Sequence, residues 1–127
     1  MSNRAVISTP DAPQAIGPYS QAIKVGNTVW LSGQIPLVPG SMELVSGGID
    51  EQASQVFQNL AAVAEAAGSS LDNAVKINIS LTDLEHFAAV NEVMSGFLQE
   101  PYPARACVQV AALPKGAAIE VEAILVI

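Results

Sequence analysis

Arginine is nearly absent from this chain of 127 residues: Arg4 and Arg105 are its only copies. Five Lys+Arg stand against twelve acids, a formal net charge of −7. That balance repels phosphate backbones and no basic stripe offsets it, so nucleic acid is excluded as an expected partner. Charged residues reach only 13%, about half the roughly 25% usual for soluble domains. A lone cysteine, Cys107, rules out an intrachain disulfide and suits a reducing cytoplasm, the location we expect. With one histidine beside it there is no metal-ligand spacing, and no glycine loop cradles phosphate, so neither metal nor cofactor is expected. No apolar run approaches the roughly 18 residues a membrane helix needs, and the first nine residues lack the apolar core of a signal peptide.

Hydrophobic types make up 50% of the chain. One domain spanning residues 1–127 can bury a proper core with that content, and a surface so poor in charge points to burial against other subunits. A homo-oligomer is the expectation.

Ser20–Val25 and Thr28–Gln34 flank Gly26-Asn27 and predict a β-hairpin. From Asp50 to Ala67 apolar residues recur at three- and four-residue spacing, Asp50-Glu51 favours the helix start, and Gly68 supplies the stop. Ala74–Leu81 alternates as a strand. A second helix is predicted from Thr82, where Thr-x-x-Glu to Glu85 reads as a capping box, with a stripe of Leu84, Phe87, Asn91, Met94 and Leu98. Ala104–Val110 and Ala118–Ile127 complete the pattern as strands, read as a terminal hairpin through Leu113-Pro-Lys-Gly116. Strand, helix, strand, helix, strand implies two right-handed crossovers. The fold class is α/β (α+β): a two-layer sandwich, a mixed sheet with two helices on one face.

Arg105 stands in a strand that otherwise reads as buried, and a guanidinium is costly to desolvate without an acidic partner. Period-two alternation assigns Ala106 and Val108 to the helix-covered face. It assigns Trp30, Ser32, Gln34, Lys76, Asn78, Arg105, Cys107, Gln109, Glu120 and Glu122 to the other. Two partners for Arg105 are open: Glu120 or Glu122 of the protein, or a carboxylate carried by a ligand. Cys107 reads as a small buried hydrophobe rather than a nucleophile, Asn91 as a satisfied amide or a pocket donor, and His86 as solvated. Ser20 and Ser32 have no Ser-His-Asp context.

Five segments in order, Ile16-Gly-Pro-Tyr-Ser-Gln-Ala22, Ser32-Gly-Gln-Ile-Pro36, Phe87-Ala-Ala-Val-Asn-Glu92, Pro103-Ala-Arg-Ala-Cys-Val108 and Ile119-Glu-Val-Glu-Ala123, together resemble the Rid (RidA/YjgF) family. The resemblance implies a chorismate-mutase-like homotrimer with clefts between neighbours, no cofactor, and hydrolysis of 2-imino acids to 2-keto acids and ammonia. It implies that Arg105 clamps the substrate carboxylate, Glu120 activates water and Tyr19 closes the pocket. It further implies that the backbone at Gly33 and Cys107 positions substrate or water, that Ser32 and Asn91 line the site, and that Phe87 shapes its apolar wall. Ser41-Met42 departs from that pattern, standing where a Thr-Gly turn is common.

Overall fold

The structure is a computed structural model that describes residues 3–127. Six strands form one mixed sheet: β1 (Ala5–Ile7), β2 (Ala22–Val25), β3 (Thr28–Gln34), β4 (Ala74–Leu81), β5 (Ala104–Gln109) and β6 (Ile119–Val126). Helices α1 (Ile49–Ala66) and α2 (Phe87–Ser95) supply the second layer. Val25 pairs with Thr28 across the Gly26-Asn27 turn, so the predicted hairpin stands. Ala5–Ile7 extends the sheet beside β2, while Met1 and Ser2 lie outside the described residues.

The spatial order is β1-β2-β3-β6-β4-β5. Strand β6 therefore runs antiparallel between β3 and β4, and β5 lies parallel to β4 at the far edge. The terminal hairpin read from the sequence does not form. β6 instead enters between two strands that the first crossover leaves apart, where both of its backbone edges find partners. Its own pattern suits that place, because Ile119, Val121, Ala123 and Leu125 are all buried.

Helix α1 begins where Glu51 accepts a hydrogen bond from the Gly48 N–H at 3.2 Å. Gly47 allows this approach: its φ is +116°, and a Cβ there would lie 2.6 Å from the Glu51 carboxylate. The helix buries Val56, Phe57, Leu60 and Val63 against Ile77, Ile79, Val121 and Leu125. Each such side chain contributes about 1.5–3 kcal/mol, which fixes the register of β4 and β6. Helix α2 packs beside α1 through Phe57 and Phe97, whose rings stack with centroids 5.6 Å apart.

The start of α2 differs from the expectation. Asp83, not Thr82, accepts from the Glu85 N–H, opening a 3-10 turn at Leu84–His86 before the α-helix. The buried side of α2 is Val90 with Val93, Met94 and Leu98 packed on the core, while Leu84 and Phe87 are exposed. The expected stripe through Leu84, Phe87 and Asn91 is thus not a core stripe. Its middle faces β5, and that places the site.

The sheet's other face has no helix over it. Trp30, Val108 and Val126 are exposed there, and Ile23 and Ile124 pair with Trp30 across the strands. Ile23, Trp30, Ile124 and Val126 adjoin there, while Ser80, Glu120 and Glu122 separate them from Val108; an adjoining apolar patch of this kind suits contact with another surface.

Candidate active site

Strand β5 carries the first correction to the expected site. Arg105 pairs with Ile77 and Cys107 with Ile79, and directly paired strand residues share a face. Both isoleucines are fully buried under the helices. Arg105, Cys107 and Gln109 therefore sit on the helix side, while Ala106 and Val108 point to the open face, the reverse of the expected phase. Two hydrogen bonds corroborate this: Gln109 accepts from the Leu84 N–H at 3.0 Å, and Arg105 Nη1 donates to Asn91 Oδ1 of α2. The reason is positional. Alternation reports burial only where helices cover the strand, and β5 is an edge whose polar residues reach the flank of α2.

Arg105 also stacks its guanidinium over Phe87, 4.9 Å from the ring centroid. Among the described residues its partners are thus an amide and a ring rather than Glu120 or Glu122. The amide and the ring orient the cation without neutralising it. Cys107, next inward on that face, packs on the core. Burial pushes its thiol up and Arg105 opposes the shift. At neutral pH it is a protonated thiol, not a nucleophile.

A second recess lies at the other end of the sheet, with a volume of about 270 Å³. Tyr19, Gly33 and Glu120 meet there, beside Met42 and Pro114. Gly33 lets the carboxylate come close: a Cβ would fall 3.0 Å from Glu120 Cδ, so any side chain there would push Glu120 aside. Burial raises the Glu120 pKa above the ordinary carboxylate range, and the like charge of Glu122 adds to the shift. Arg105, which alternation assigned to the same face as Glu120, is not among the causes. Glu122 is itself held by Asn78 Nδ2 at 3.1 Å.

The Tyr19 loop owes its place to Gln21, a residue the sequence reading passed over. Its buried amide donates to the carbonyls of Thr9, Ala12 and Pro13 and accepts from the Thr9 N–H at 2.7 Å. Ser32 donates its hydroxyl to the Ser20 carbonyl, tying β3 to that loop. Met42 adopts φ +61° where a glycine would be at ease, and Lys115, at φ +58°, donates to the Met42 carbonyl at 3.1 Å. Two left-handed non-glycine residues beside one recess are the kind of local strain that collects at functional sites.

Geometry keeps the two half-sites apart within one chain. Glu120 pairs with Ser80, and Ser80 with Val108, so Glu120 is level with a residue three positions beyond Arg105 and two strands over. At roughly 3.3 Å per residue and 4.8 Å per strand, the two backbones lie about 14 Å apart. Their side chains also leave from opposite faces. Arg105, Asn91 and Phe87 form one group; Tyr19, Gly33 and Glu120 form the other.

The fold and these recesses define a class of small α+β chain, a six-stranded mixed sheet under two helices with its arginine and carboxylate held separately. The chain belongs to the family described as Endoribonuclease L-PSP, whose model matches residues 9–127, and within it to the Rid group. It is 52% identical to a 2-iminobutanoate/2-iminopropanoate deaminase of Dermatophagoides farinae, covering 100% of this chain and 99% of the relative. Among solved structures it resembles RidA from an Antarctic Psychrobacter (58% identity, 97% and 99% of the two chains, TM-score 0.94). It also resembles Escherichia coli TdcF with bound serine (43% identity, 97% and 98% coverage, TM-score 0.92).

Proposed function

We propose that the chain hydrolyses 2-imino acids, among them 2-iminobutanoate and 2-iminopropanoate, to 2-keto acids and ammonia. Catalysis takes place in clefts where the Arg105 half-site of one copy meets the Glu120 half-site of the next. The observation that carries this reading is the division itself. An uncompensated arginine and a carboxylate of raised pKa occupy different surfaces of one chain, so a second copy must bring them together. Contact between unlike surfaces closes into a ring, and a ring of three is what the family resemblance implies. The deaminase names of the relatives and the serine in TdcF support a small substrate bearing a carboxylate.

The chemistry needs no covalent intermediate on the protein. Arg105 holds the substrate carboxylate by two parallel N–H···O bonds, with Phe87 and Asn91 fixing the fork. Glu120 takes a proton from water as the oxygen bonds to C2, and the proton passes to nitrogen. Glu120 then takes the hydroxyl proton of the resulting carbinolamine and returns it to nitrogen; the C=O double bond forms as the C–N bond breaks, releasing ammonia and leaving the keto acid. Tyr19 borders the cleft and offers its hydroxyl, and the open backbone at Gly33 leaves room for the water. Positioning supplies much of the barrier reduction. Such imines arise from dehydratases acting on serine or threonine, and the lone unpaired thiol is consistent with work in the cytoplasm. Added to a threonine dehydratase reaction, the protein should accelerate 2-oxobutanoate release. No acceleration over spontaneous hydrolysis would refute the activity, and keto-acid binding without turnover would identify a binding module instead.

A ribonuclease reading meets the −7 charge and a site whose cations are Arg105 and a Lys115 already bound to a carbonyl. Nothing favours it.

The raised Glu120 pKa has a visible consequence. As a base, Glu120 works only when ionised, so kcat/KM should fall as pH drops through a pKa above the ordinary carboxylate range. Glu122→Gln removes the like charge, and the acid limb of the profile should then move to lower pH. An unmoved limb would show that a different group titrates.

A further inference from the structure

A cavity of about 420 Å³ opens beside the Arg105–Asn91 pair. Its walls are apolar: Ile77 of β4, Met94 of α2, Leu98 just past the end of that helix, and Tyr102 from the segment leading into β5. Ile77 and Leu98 are buried and Met94 half-buried, so the floor is formed by the core itself. The volume is that of a small-ligand pocket, apolar with a few convergent polar groups at its rim. Asn91 occupies one edge of the guanidinium. A carboxylate must dock on the remaining N–H groups, and the substituents on its α-carbon then divide. The imine faces the partner's Glu120 half-site, and the side chain is left toward the α2 flank.

We propose that this cavity is the side-chain subsite of the deaminase read above, and that it selects 2-imino acids with apolar side chains of about three to five carbons. Alanine-derived 2-iminopropanoate would leave the cavity holding water against Met94 and Leu98. A longer apolar chain displaces that water and covers both. Oxidation of apolar amino acids at the α-amine, with an acceptor such as a flavin taking the electrons, is the class of reaction that produces such imines. The inference rests on the deaminase reading, and two independent measurements separate their failures.

The first uses stable product acids as probes of the intact protein: pyruvate, 2-oxobutanoate and 4-methyl-2-oxopentanoate, titrated calorimetrically. Each buried carbon is worth about fourfold in affinity, so the branched acid should bind at least about tenfold tighter than pyruvate. Affinity that is flat or falls with length overturns the subsite. The second follows hydrolysis of the corresponding imines formed in situ by an amino-acid oxidase. Met94→Phe, or Ser95→Phe approaching from the exposed rim of the helix, should lower the kcat/KM ratio of long over short imine by about tenfold. The rim variant keeps the test available if the core variant fails to fold. A ratio unchanged in folded protein overturns the assignment. Loss of turnover on every imine in the unmodified protein refutes the deaminase reading, while the keto-acid series still decides what the cavity holds.

Discussion

Arg105→Ala lowers kcat/KM for imine hydrolysis by about two to four orders of magnitude and leaves the folded protein's stability within about 0.5 kcal/mol of the parent. The rate estimate follows from the interaction removed. A charge-assisted hydrogen bond contributes about 1.5–3 kcal/mol, and a bidentate clamp makes two. The stability estimate follows from position. Arg105 is exposed on an edge strand and, among the described residues, its partners are Asn91 and Phe87 rather than a carboxylate, so truncation strands no buried charge. Arg105→Lys separates charge from shape. It keeps the cation but loses the planar fork and the stacking on Phe87, so it should fall between alanine and the parent. Steady-state kinetics, thermal midpoints and titration with 2-oxobutanoate check these together. Full activity in Arg105→Ala would remove the clamp from the mechanism, whereas a large drop in thermal midpoint would make the residue structural.

How far the sequence could be read depended on what covers each strand. Helix α1 and strands β3, β4 and β6 are buried on one face, so Phe57, Leu60, Ile77 and Val121 carry a periodicity that reports their environment directly. The two-layer fold and the crossovers were legible for that reason. Strand β5 was not, because it has a neighbour on one side only and its helix-side residues reach the flank of α2. There Arg105 can stand in helix-side phase without being buried, and Val108 can face outward at 52% exposure. The same blindness affected Phe87 and Asn91, whose apolar spacing looked like core but forms the cradle for Arg105. The place of β6 between β3 and β4 is a long-range pairing that no local pattern encodes. Gln21 was missed because a buried amide with four hydrogen bonds looks, in sequence, like any other glutamine. Arg105 stood out as a charge in an apolar strand, whereas its role as a clamp and the roles of Glu120 and Tyr19 came through motif resemblance. That Arg105 and Glu120 belong to different surfaces came only from strand register.

Glu120→Gln should lower kcat by about two to four orders of magnitude while retaining keto-acid affinity, because the amide keeps the shape but cannot accept the water's proton. The same substitution should raise the thermal midpoint at neutral pH. Glu120 has a folded-state pKa above its unfolded value, so its contribution to stability is fully present below the unfolded pKa and lost as pH rises through the folded one. At pH 7 the ionised carboxylate beside Glu122 therefore opposes folding, and a neutral amide relieves that. A midpoint that falls would contradict the desolvation argument. The two inactive variants together also test how the site is built. If Arg105 and Glu120 act from different copies, Arg105→Ala and Glu120→Gln chains unfolded together and refolded as a mixture should regain activity, since about a quarter of the clefts in random rings pair two intact halves. If both residues served one site within a single chain, no mixture could hold an intact site, and the mixed sample would stay as inactive as either parent variant.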